Sequence, residues 1–500
     1  MSLRRVLVAN RGEIACRVMR TLRARGLESA AVFSEADADA PHVRLADRAQ
    51  LIGPAPAPLS YLDADKVLAA ARDMGCDAVH PGYGFLSENA AFAEACADAG
   101  MTFIGPPVAA IRAMGDKAQA RRAALDAGVS PVPGYAGDDD DGILAREAER
   151  IGYPVLVKAA LGGGGKGMRL VEGAGGLADA IRAARREAQA AFGDGSLLLE
   201  RYVHPARHIE VQLLADTHGR AIPVLERECS LQRRHQKVVE ECPSSAIDDP
   251  LRERLGDAAA RLALAVGYIG AGTVEFLVEE DGSFWFLEMN TRLQVEHGVT
   301  EMVTGEDLVA WQLRIADGEA LDLPTPVTPR GWAVEARVYA EDPSAGFLPQ
   351  AGTITHLALP TGPGVRVDVG VRGGQEITPH YDPMLMKVLA HGSDRVAATG
   401  RLRAALEDLH LLGPKTNVGY LLDVLASDAW TTGQTFTHTL EADGVASTSA
   451  DGVPPEVLML AAWGLEMRRR PESTDAARGD VYSAFDRLSG FRIVPRGGDA

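Results

Sequence analysis

Two glutamates near the middle of the chain have a spacing that could place their carboxylates side by side. The segment 273–288 predicts a hairpin, with Asp281-Gly282 as the expected two-residue turn. In that register Glu275 lies directly opposite Glu288, where like charges repel. A divalent cation between them would offset the repulsion, and ligation by oxygen alone suits Mg²⁺, which also carries substrate phosphates. The alternative is a solvent-exposed pair on an outer face of the sheet.

Polar side chains recur at every second position after this hairpin. Alternate residues of an extended chain share a face, and one face here would carry Glu288, Asn290, Arg292, Gln294 and Glu296. The other face would carry apolar side chains that can pack against a core, namely Leu287, Met289, Leu293 and Val295. Arg292 could orient a planar oxyanion through two hydrogen bonds, and Glu296 could remove its proton. The alternative is the polar outer face of an edge strand.

A glycine-rich loop offers a second chemical feature. A predicted strand ends in Lys158 and is followed by Gly162, Gly163, Gly164 and Gly165, with Lys166 next to them. Successive glycines let backbone N–H groups approach a phosphate without interference from a Cβ atom. The loop lacks the Walker pattern and leads into a second predicted strand, 168–171, so it could fold over a nucleotide as a lid. A plain flexible turn is the alternative.

The elements that must position these groups form about three domains, because 500 residues exceed one compact core. Residues 1–115 alternate apolar strand runs with helical periodicity, which predicts a doubly wound α/β domain. Residues 116–329 predict a central domain, with a lid subdomain at about 131–204, and residues 330–446 a mixed β/α domain. Residues 447–500 predict a helical start of a further domain. The fold class is therefore α/β and α+β, multidomain.

The composition excludes several classes of function. A formal net charge of −18 argues against a nucleic-acid partner. Five cysteines without Cys-x-x-Cys spacing indicate free thiols rather than a zinc site or a disulfide framework. No apolar run reaches the length of a membrane span, and the N-terminus lacks a signal-peptide pattern. We therefore expect a cytoplasmic protein without nucleic-acid or membrane partners.

Several longer motifs resemble biotin carboxylase, the ATP-grasp component of biotin-dependent carboxylases. The resemblance covers residues 3–445. It rests on Ala-Asn-Arg-Gly-Glu-Ile (9–14), His-Pro-Gly-Tyr-Gly-Phe-Leu-Ser-Glu-Asn (80–89), Met-Gly-Asp-Lys (114–117), the glycine loop, and the strings 228–241 and 288–297. The last two are specific to this family among ATP-grasp ligases. The resemblance implies an ATP-grasp central domain with a glycine-rich lid, and an enzyme that carboxylates biotin with ATP and bicarbonate through carboxyphosphate.

The resemblance also implies roles for individual residues. ATP would be held by Lys117, Lys158, Gly162, Gly163, Gly164, Gly165, Glu200, Arg201, Tyr202, Val203, His208, Gln232, His235, Glu275 and Glu288. Mg²⁺ or Mn²⁺ would be held by Glu275, Glu288 and Asn290. Bicarbonate would be held by Lys237, Arg292, Gln294 and Val295, with Glu296 as its base. Biotin would lie near Tyr83, and Arg337 would stabilise its enolate.

Departures from the family pattern qualify this interpretation. Leu161 stands before the glycines where the family often has a smaller residue, which would stiffen the lid. Gly298 replaces a familiar proline, which would loosen the end of the strand. Met386-Lys387-Val388 is not the Met-Lys-Met biotinylation motif, so we expect biotin from another chain or region. The segment 480–493 resembles the entry to the linking domain of 3-methylcrotonyl-, propionyl- or acetyl-CoA carboxylase α-subunits.

The expected partners are therefore a biotin carboxyl carrier domain and a carboxyltransferase subunit, in a homodimer or a larger α/β complex. Two other functions stay open at this point. One is another bicarbonate-phosphorylating ATP-grasp ligase of the carbamoyl-phosphate type, and the other is a non-catalytic ATP-binding subunit.

Overall fold

The computed structural model describes residues 3–160, 168–234, 236–442 and 459–463. Its first part alternates strands and helices. The strands are β1 (Arg5–Val8), β2 (Glu28–Ser34), β3 (Arg48–Gly53), β4 (Ala78–His80) and β5 (Thr102–Phe103). The helices are α1 (Gly12–Ala24), α2 (Pro41–Leu45), α3 (Ala64–Asp73), α4 (Ala90–Asp98) and α5 (Val108–Gly115).

These strands form one parallel sheet in the order β3-β2-β1-β4-β5, which confirms the doubly wound α/β prediction. Loops after adjacent parallel strands emerge at the same edge of a sheet, and here the loops after β1 and β4 meet. Asn10 Nδ2 donates to the carbonyl oxygens of Pro81 and Tyr83, both at 2.8 Å. His80, at the end of β4, accepts a hydrogen bond from the Gly82 N–H at 3.0 Å. This edge therefore fixes the loop that carries Tyr83.

A small antiparallel subdomain follows. Its strands are β6 (Gly134–Tyr135), β7 (Val155–Ala159), β8 (Arg169–Val171) and β9 (Leu197–Arg201), and the helices of this stretch are α6 (Lys117–Asp126), α7 (Asp141–Ile151) and α8 (Ala174–Phe192). The sheet order is β6-β9-β7-β8, and β7 pairs antiparallel with β8. The glycines 162–165 come between these two strands in the sequence, but they lie outside the described residues, as does Leu161.

The centre of the chain is built on long antiparallel strands. They are β10 (Arg207–Ala215), β11 (Ala221–Arg233), β12 (Gln236–Cys242), β13 (Gly270–Val278) and β14 (Phe284–Asn290). The helices are α9 (Asp249–Ala265), α10 (His297–Thr304) and α11 (Leu308–Ala316). The apolar residues Ile209 and Val211 of β10 pack in one cluster with Leu255 and Leu262 of α9. Because side chains alternate along a strand, the residues between them face the other side of the sheet.

The last part adds short strands and helices. The strands are β15 (Trp332–Tyr339), β16 (Glu341–Asp342), β17 (Leu348–Pro349), β18 (Gly352–Thr353), β19 (His356–Ala358), β20 (Val365–Val369), β21 (Glu376–Ile377), β22 (Met384–Gly392) and β23 (His410–Leu412). The helices are α12 (Arg395–Glu407), α13 (Val418–Ala426), α14 (Asp428–Thr431) and α15 (Thr439–Ala442). Short 3₁₀ turns lie at 35–37, 57–59 and 343–345.

One sheet joins the central and last parts of the chain. Its strand order is β14-β13-β10-β11-β12-β15-β22-β20, with β12 and β15 paired antiparallel. Three of the strands expected to form a separate C-terminal domain, β15, β22 and β20, therefore extend the central sheet. The chain divides into two compact units, residues 1–448 and 449–500. Of the second, only the helical residues 459–463 are described, so the segment 480–493 lies outside. None of the described helices is long and apolar enough to cross a membrane.

Candidate active site

The hairpin β13–β14 places Glu275 directly opposite Glu288, as the sequence predicted. The predicted two-residue turn is nevertheless wrong. The N–H of Glu279 donates to the Ser283 carbonyl oxygen at 2.8 Å, so the loop contains the three residues 280–282. Gly282 occupies the left-handed region at φ +78°, as such three-residue loops require.

A one-residue bulge in β14 restores the register. Phe276 pairs with Phe286, whereas Glu275 pairs with Glu288, so Leu287 has no partner in β13. Both Leu287 and Glu288 consequently line the same cavity, although strict alternation predicted opposite faces. The predicted turn is one residue too short, and the prediction lacks the one-residue bulge. These two errors cancel, so Glu275 still lies opposite Glu288.

The extended row predicted from Glu288 to Glu296 is wrong beyond Asn290, where β14 ends. Glu296 has φ −80° and ψ 9° and stands immediately before helix α10, so its backbone is not extended. Arg292 and Gln294 still line the cavity together with Asn290. Val295, expected on the packing face, lines it as well. The chain gathers these side chains by turning rather than by continuing the strand.

Lys237 contacts both the carboxylate pair of the hairpin and Glu296. Its Nζ lies 2.6 Å from Glu210, 2.9 Å from Glu275 and 2.6 Å from Glu296. Burial opposes the charged ammonium, but Cys229 and the neighbouring carboxylates raise the pKa of Lys237 well above its usual value. One partly buried cation therefore joins the carboxylate pair of the hairpin to Glu296.

Glu296 is fully buried and is held by cations on both carboxylate oxygens. Its Oε1 accepts from Lys237, and its Oε2 accepts from Arg337 Nη2 at 2.9 Å. Burial alone would raise the pKa of Glu296, but Lys237, Arg337 and Arg227 lower it well below its usual range. The carboxylate is thus ionised and able to accept a proton.

Arg292 is held by neighbours that fix the plane of its guanidinium. Its Nε donates to Glu88 at 2.9 Å, its Nη2 to Asn290 Oδ1 at 2.9 Å, and its Nη1 to Gln294 Oε1 at 3.0 Å. Asn290 and Gln294 in turn donate to Glu275 Oε1 at 2.9 and 3.0 Å. The row of side chains predicted from the sequence is therefore joined by hydrogen bonds.

The carboxylate pair suits a divalent cation by its chemistry. Burial and the charge of Glu275 raise the pKa of Glu288, so an ionised pair here needs a counter-charge. Its donors are oxygen atoms, which Mg²⁺ prefers. The Asn290 amide oxygen, predicted as a third ligand, accepts from Arg292. Glu275 is also within 2.9 Å of His208 Nε2. Glu275 and Glu288 fit the ion, while Asn290 would first have to leave Arg292.

A cavity of about 990 Å³ contains most of the predicted site residues. They are Tyr83, Lys117, Lys158, Tyr202, Val203, His208, Gln232, Lys237, Glu275, Glu288, Asn290, Arg292, Gln294, Val295 and Arg337. Val203 belongs to an apolar cluster that includes Leu277 and Leu287, and all three line the cavity. The cavity therefore combines an apolar region suited to a flat base with lysines suited to phosphates.

Three predicted residues do not line the cavity. Glu200 accepts a hydrogen bond from Lys158, which lines the cavity, and so contacts the cavity only through Lys158. Arg201 donates to Glu279 at 2.7 Å and stacks on Trp285, and its predicted place beside the nucleotide stays a prediction. Glu296 accepts a hydrogen bond from Lys237, which itself lines the cavity. His235 and the four lid glycines lie outside the described residues, so their predicted roles stay predictions.

Sequence reasoning missed several residues of the site. Glu210 pairs with Glu275 across β10 and β13 and also accepts a hydrogen bond from Arg227. The alternation His208-Ile-Glu-Val-Gln212 could have revealed it, since its polar residues share the face of His208. Glu13, which accepts a hydrogen bond from the Tyr83 hydroxyl, and Glu88 carried no comparable local signal. The Glu13 contact joins helix α1 to the loop after β4 within the first domain, whereas Glu88 accepts a hydrogen bond from Arg292 of the central domain.

The structure also describes Gly298 and Lys387, two residues at which the sequence departs from the family pattern. Gly298 lies in the first turn of α10 rather than at a strand end, and a Cβ there would be 2.5 Å from Leu389 Cδ2. The expectation of a loosened strand is therefore wrong. Lys387 is fully buried and donates to the Val295 carbonyl oxygen. The five cysteines are free and buried, as expected.

Comparisons with known proteins agree with this geometry. Residues 2–111 match the family model "Biotin carboxylase, N-terminal domain", and residues 335–442 match "Biotin carboxylase C-terminal domain". Residues 116–323 match "Carbamoyl-phosphate synthase L chain, ATP binding domain".

Curated relatives cover most of the chain. The alpha subunit of mitochondrial methylcrotonoyl-CoA carboxylase from Dictyostelium discoideum is 46% identical over 98% of this chain and 70% of the relative. The mitochondrial propionyl-CoA carboxylase alpha chain from Caenorhabditis elegans is 45% identical over 93% of this chain and 65% of the relative.

Solved structures of biotin carboxylases are also similar to this chain. The biotin carboxylase domain of Hydrogenobacter thermophilus 2-oxoglutarate carboxylase, a dimer in complex with MgADP, ADP and bicarbonate, has a TM-score of 0.86 and 43% identity. The match covers 89% of this chain and 98% of that one. Biotin carboxylase from Campylobacter jejuni, in a β-γ-ATP complex, has a TM-score of 0.86 and 42% identity over 88% and 99% of the two chains.

Proposed function

Because this chain belongs to the biotin carboxylase family of the biotin-dependent carboxylases, we propose that it phosphorylates bicarbonate with ATP and transfers the resulting carboxyl group to carrier-bound biotin. Membership makes it an ATP-grasp ligase. The order of the chemical steps and the role of each residue are part of the proposal.

The observation that carries the proposal is the position of Lys237. Its ammonium contacts Glu275 of the hairpin pair and Glu296 at the start of α10. A nucleotide phosphate at the hairpin and an anion beside Glu296 would therefore lie on either side of one cation. Holding two reactants together in this way converts a bimolecular step into an effectively unimolecular one.

Lysines and carboxylates would bind ATP and its metal ion in the proposed site. Lys117 and Lys158 line the cavity and would bind ATP phosphates. Glu275 and Glu288 would hold Mg²⁺, with Asn290 after it leaves Arg292; Mn²⁺ suits the same oxygens. The bound ion would neutralise phosphate charge.

The bicarbonate end uses Arg292, whose guanidinium plane is fixed by its neighbours. Together with Lys237, Gln294 and the backbone of Val295, it would bind and orient the anion. Glu296 would then accept the bicarbonate proton while a bicarbonate oxygen attacks the γ-phosphorus of ATP and ADP leaves. The product of this step is carboxyphosphate. Its C–O bond then breaks to give CO₂ and phosphate, the phosphate accepts the N1′ proton of biotin, and the deprotonated nitrogen attacks CO₂ to form carboxybiotin.

Biotin would enter from the side of Tyr83. This residue and Arg337 both line the cavity. Arg337 would donate hydrogen bonds to the ureido oxygen of biotin as negative charge develops there. Lys387 is no candidate for biotin attachment, because its Nζ is enclosed and hydrogen-bonded to Val295.

The biotin substrate and the later acceptor define the partners in this proposal. The relatives are alpha subunits of methylcrotonoyl-CoA and propionyl-CoA carboxylases. We therefore propose the first half-reaction of an acyl-CoA carboxylase, with a biotin carboxyl carrier domain and a carboxyltransferase subunit as partners, in a homodimer or a larger complex. A cytoplasmic location stays a prediction; the relatives named above are mitochondrial.

The experiment is to measure ATP hydrolysis with Mg²⁺ and bicarbonate, with and without free biotin. The proposal predicts hydrolysis that depends on bicarbonate and increases with biotin. Bicarbonate-dependent hydrolysis that ignores biotin would indicate another bicarbonate-phosphorylating ligase. Nucleotide binding without any hydrolysis would indicate a non-catalytic subunit.

A further inference from the structure

Arg337 is held between two buried carboxylates, only one of which has a part in the chemistry proposed above. Its Nη2 donates to Glu296 Oε2 at 2.9 Å, and its Nε donates to Glu240 Oε1 at 2.5 Å. Glu240 lies on β12 and is fully buried. This second carboxylate does not line the cavity.

The charges around Glu240 come from three segments. On its own strand lies Lys237, and at the start of α10 lies Glu296. On β15 lie Arg337 and, directly across the strand pair, Glu335. Burial raises the pKa of Glu240 to about 7, against the lowering effect of Arg337.

Glu335 is a weak competitor for the positive charge of Arg337. Neither of its oxygens has a hydrogen-bond partner in the described part of the chain. Burial raises the pKa of Glu335 well above its usual range, although Lys387, 3.8 Å away, opposes this. Glu240 is therefore the one carboxylate besides Glu296 that is hydrogen-bonded to Arg337 among the described residues.

A proton on Glu296 would change the charges that surround Arg337. Once Glu296 has taken the bicarbonate proton, it no longer offers Arg337 a negative charge. A guanidinium enclosed without an anion is strongly disfavoured. A second carboxylate on Arg337 removes this penalty and so makes Glu296 a better proton acceptor.

Resting on the function proposed above, we propose that Glu240 is a positioning residue that keeps Arg337 paired while Glu296 accepts the bicarbonate proton. The proton moves from the bicarbonate hydroxyl to a carboxylate oxygen of Glu296. Arg337 remains on Glu240 throughout. Glu240 therefore acts on the reaction through Arg337 and contacts no substrate.

The first test is Glu240→Gln, which removes the charge but leaves an oxygen for the Arg337 N–H. The kcat of bicarbonate-dependent ATP cleavage should fall roughly tenfold, equivalent to about one pKa unit lost from the base. The KM values for ATP and bicarbonate should stay within about twofold, because their contacts remain. Glu240→Asp keeps the charge and should restore most of kcat.

The matched control is Glu241→Gln on the same strand. Glu241 is equally buried but accepts hydrogen bonds from Arg395 at 2.7 Å and Trp332 at 2.8 Å, with no hydrogen bond to Arg337. Its kcat should match that of the wild type. An equal loss in both variants would overturn the proposal, because any buried charge on β12 would then have the same effect.

A double variant covers the case in which Glu240→Gln does not fold. Arg337→Gln with Glu240→Gln removes both partners of the pair, which buried pairs tolerate better than the loss of one. Its kcat should equal that of Arg337→Gln alone. A further tenfold loss would show that Glu240 does not act through Arg337. A wild-type enzyme without bicarbonate-dependent, biotin-stimulated ATP cleavage would instead contradict the proposed function itself.

Discussion

The Nζ of Lys237 lies 2.6 Å from Oε1 of Glu296, which is fully buried, and the Lys237 side chain is 11% exposed. Because the same ammonium also contacts Glu275 at 2.9 Å, the proton acceptor and the predicted metal pair share one counter-charge.

Replacing the base should separate turnover from nucleotide binding. Glu296→Ala should abolish bicarbonate-dependent ATP cleavage, because no other carboxylate in the described residues contacts both Lys237 and Arg337. ATP binding, measured by calorimetry, should change little, since Glu296 does not line the cavity. Persistent turnover in this variant would show that another group accepts the proton.

Removing the shared cation should destabilise the fold. Lys237→Met leaves Glu210, Glu275 and Glu296 without their common partner. Breaking a buried ion pair on one side costs about 3–5 kcal/mol, so the free energy of unfolding in urea should fall by about 3 kcal/mol or more.

The control for Lys237→Met is an exposed ion pair. The side chains of Arg112 and Glu94 are 56% and 51% exposed, and Arg112→Met should cost less than about 1 kcal/mol. Equal costs for the two variants would mean that the Lys237 contacts contribute no more than a surface pair.

More of the fold than of the site could be predicted from the sequence. The parallel sheet follows from short apolar runs separated by helical periodicity, which are local signals. The pairing of Glu275 with Glu288 was predicted although both the turn and the bulge were missed, because the two errors cancelled. Lys237 and Glu240 meet their partners only after distant strands pair. No periodicity within one segment encodes such contacts.

His42 should make stability depend on pH. It is fully buried beside Asp37 and Arg11, and burial lowers its pKa to about 4. The unfolded chain, with a pKa near 6.5, therefore binds more protons than the folded chain between about pH 6.5 and pH 4. Stability should be lost as the pH falls through this window, and His42 should contribute about 2 kcal/mol of the loss between pH 7 and pH 5.

The measurement compares urea unfolding of wild type and His42→Leu at pH 7 and pH 5. The variant should lose about 2 kcal/mol less than the wild type over this interval. His410→Leu, at an exposed position, should behave like the wild type. Identical pH dependence in wild type and His42→Leu would show that folding does not lower the pKa of His42.

Gly298 should resist substitution for a steric reason. A Cβ at this position would lie 2.5 Å from Leu389 Cδ2, and Leu389 is fully buried. Gly298→Ala should therefore lower the free energy of unfolding by about 1–3 kcal/mol. Gly400, inside α12 with no atom within 4 Å of an added Cβ, gives a control of opposite sign. Gly400→Ala should stabilise the protein by up to about 1 kcal/mol, and a stabilising Gly298→Ala would contradict the packing described here.

The central claim is that bicarbonate itself attacks the γ-phosphorus of ATP, and an isotope measures this directly. With ¹⁸O-labelled bicarbonate and unlabelled water, the attacking oxygen stays on phosphorus when carboxyphosphate breaks down. Phosphate released in the presence of free biotin should therefore carry one ¹⁸O atom, detected by mass spectrometry. Phosphate without ¹⁸O would show that water is the nucleophile, and this would contradict the roles assigned to Glu296, Lys237 and Arg292.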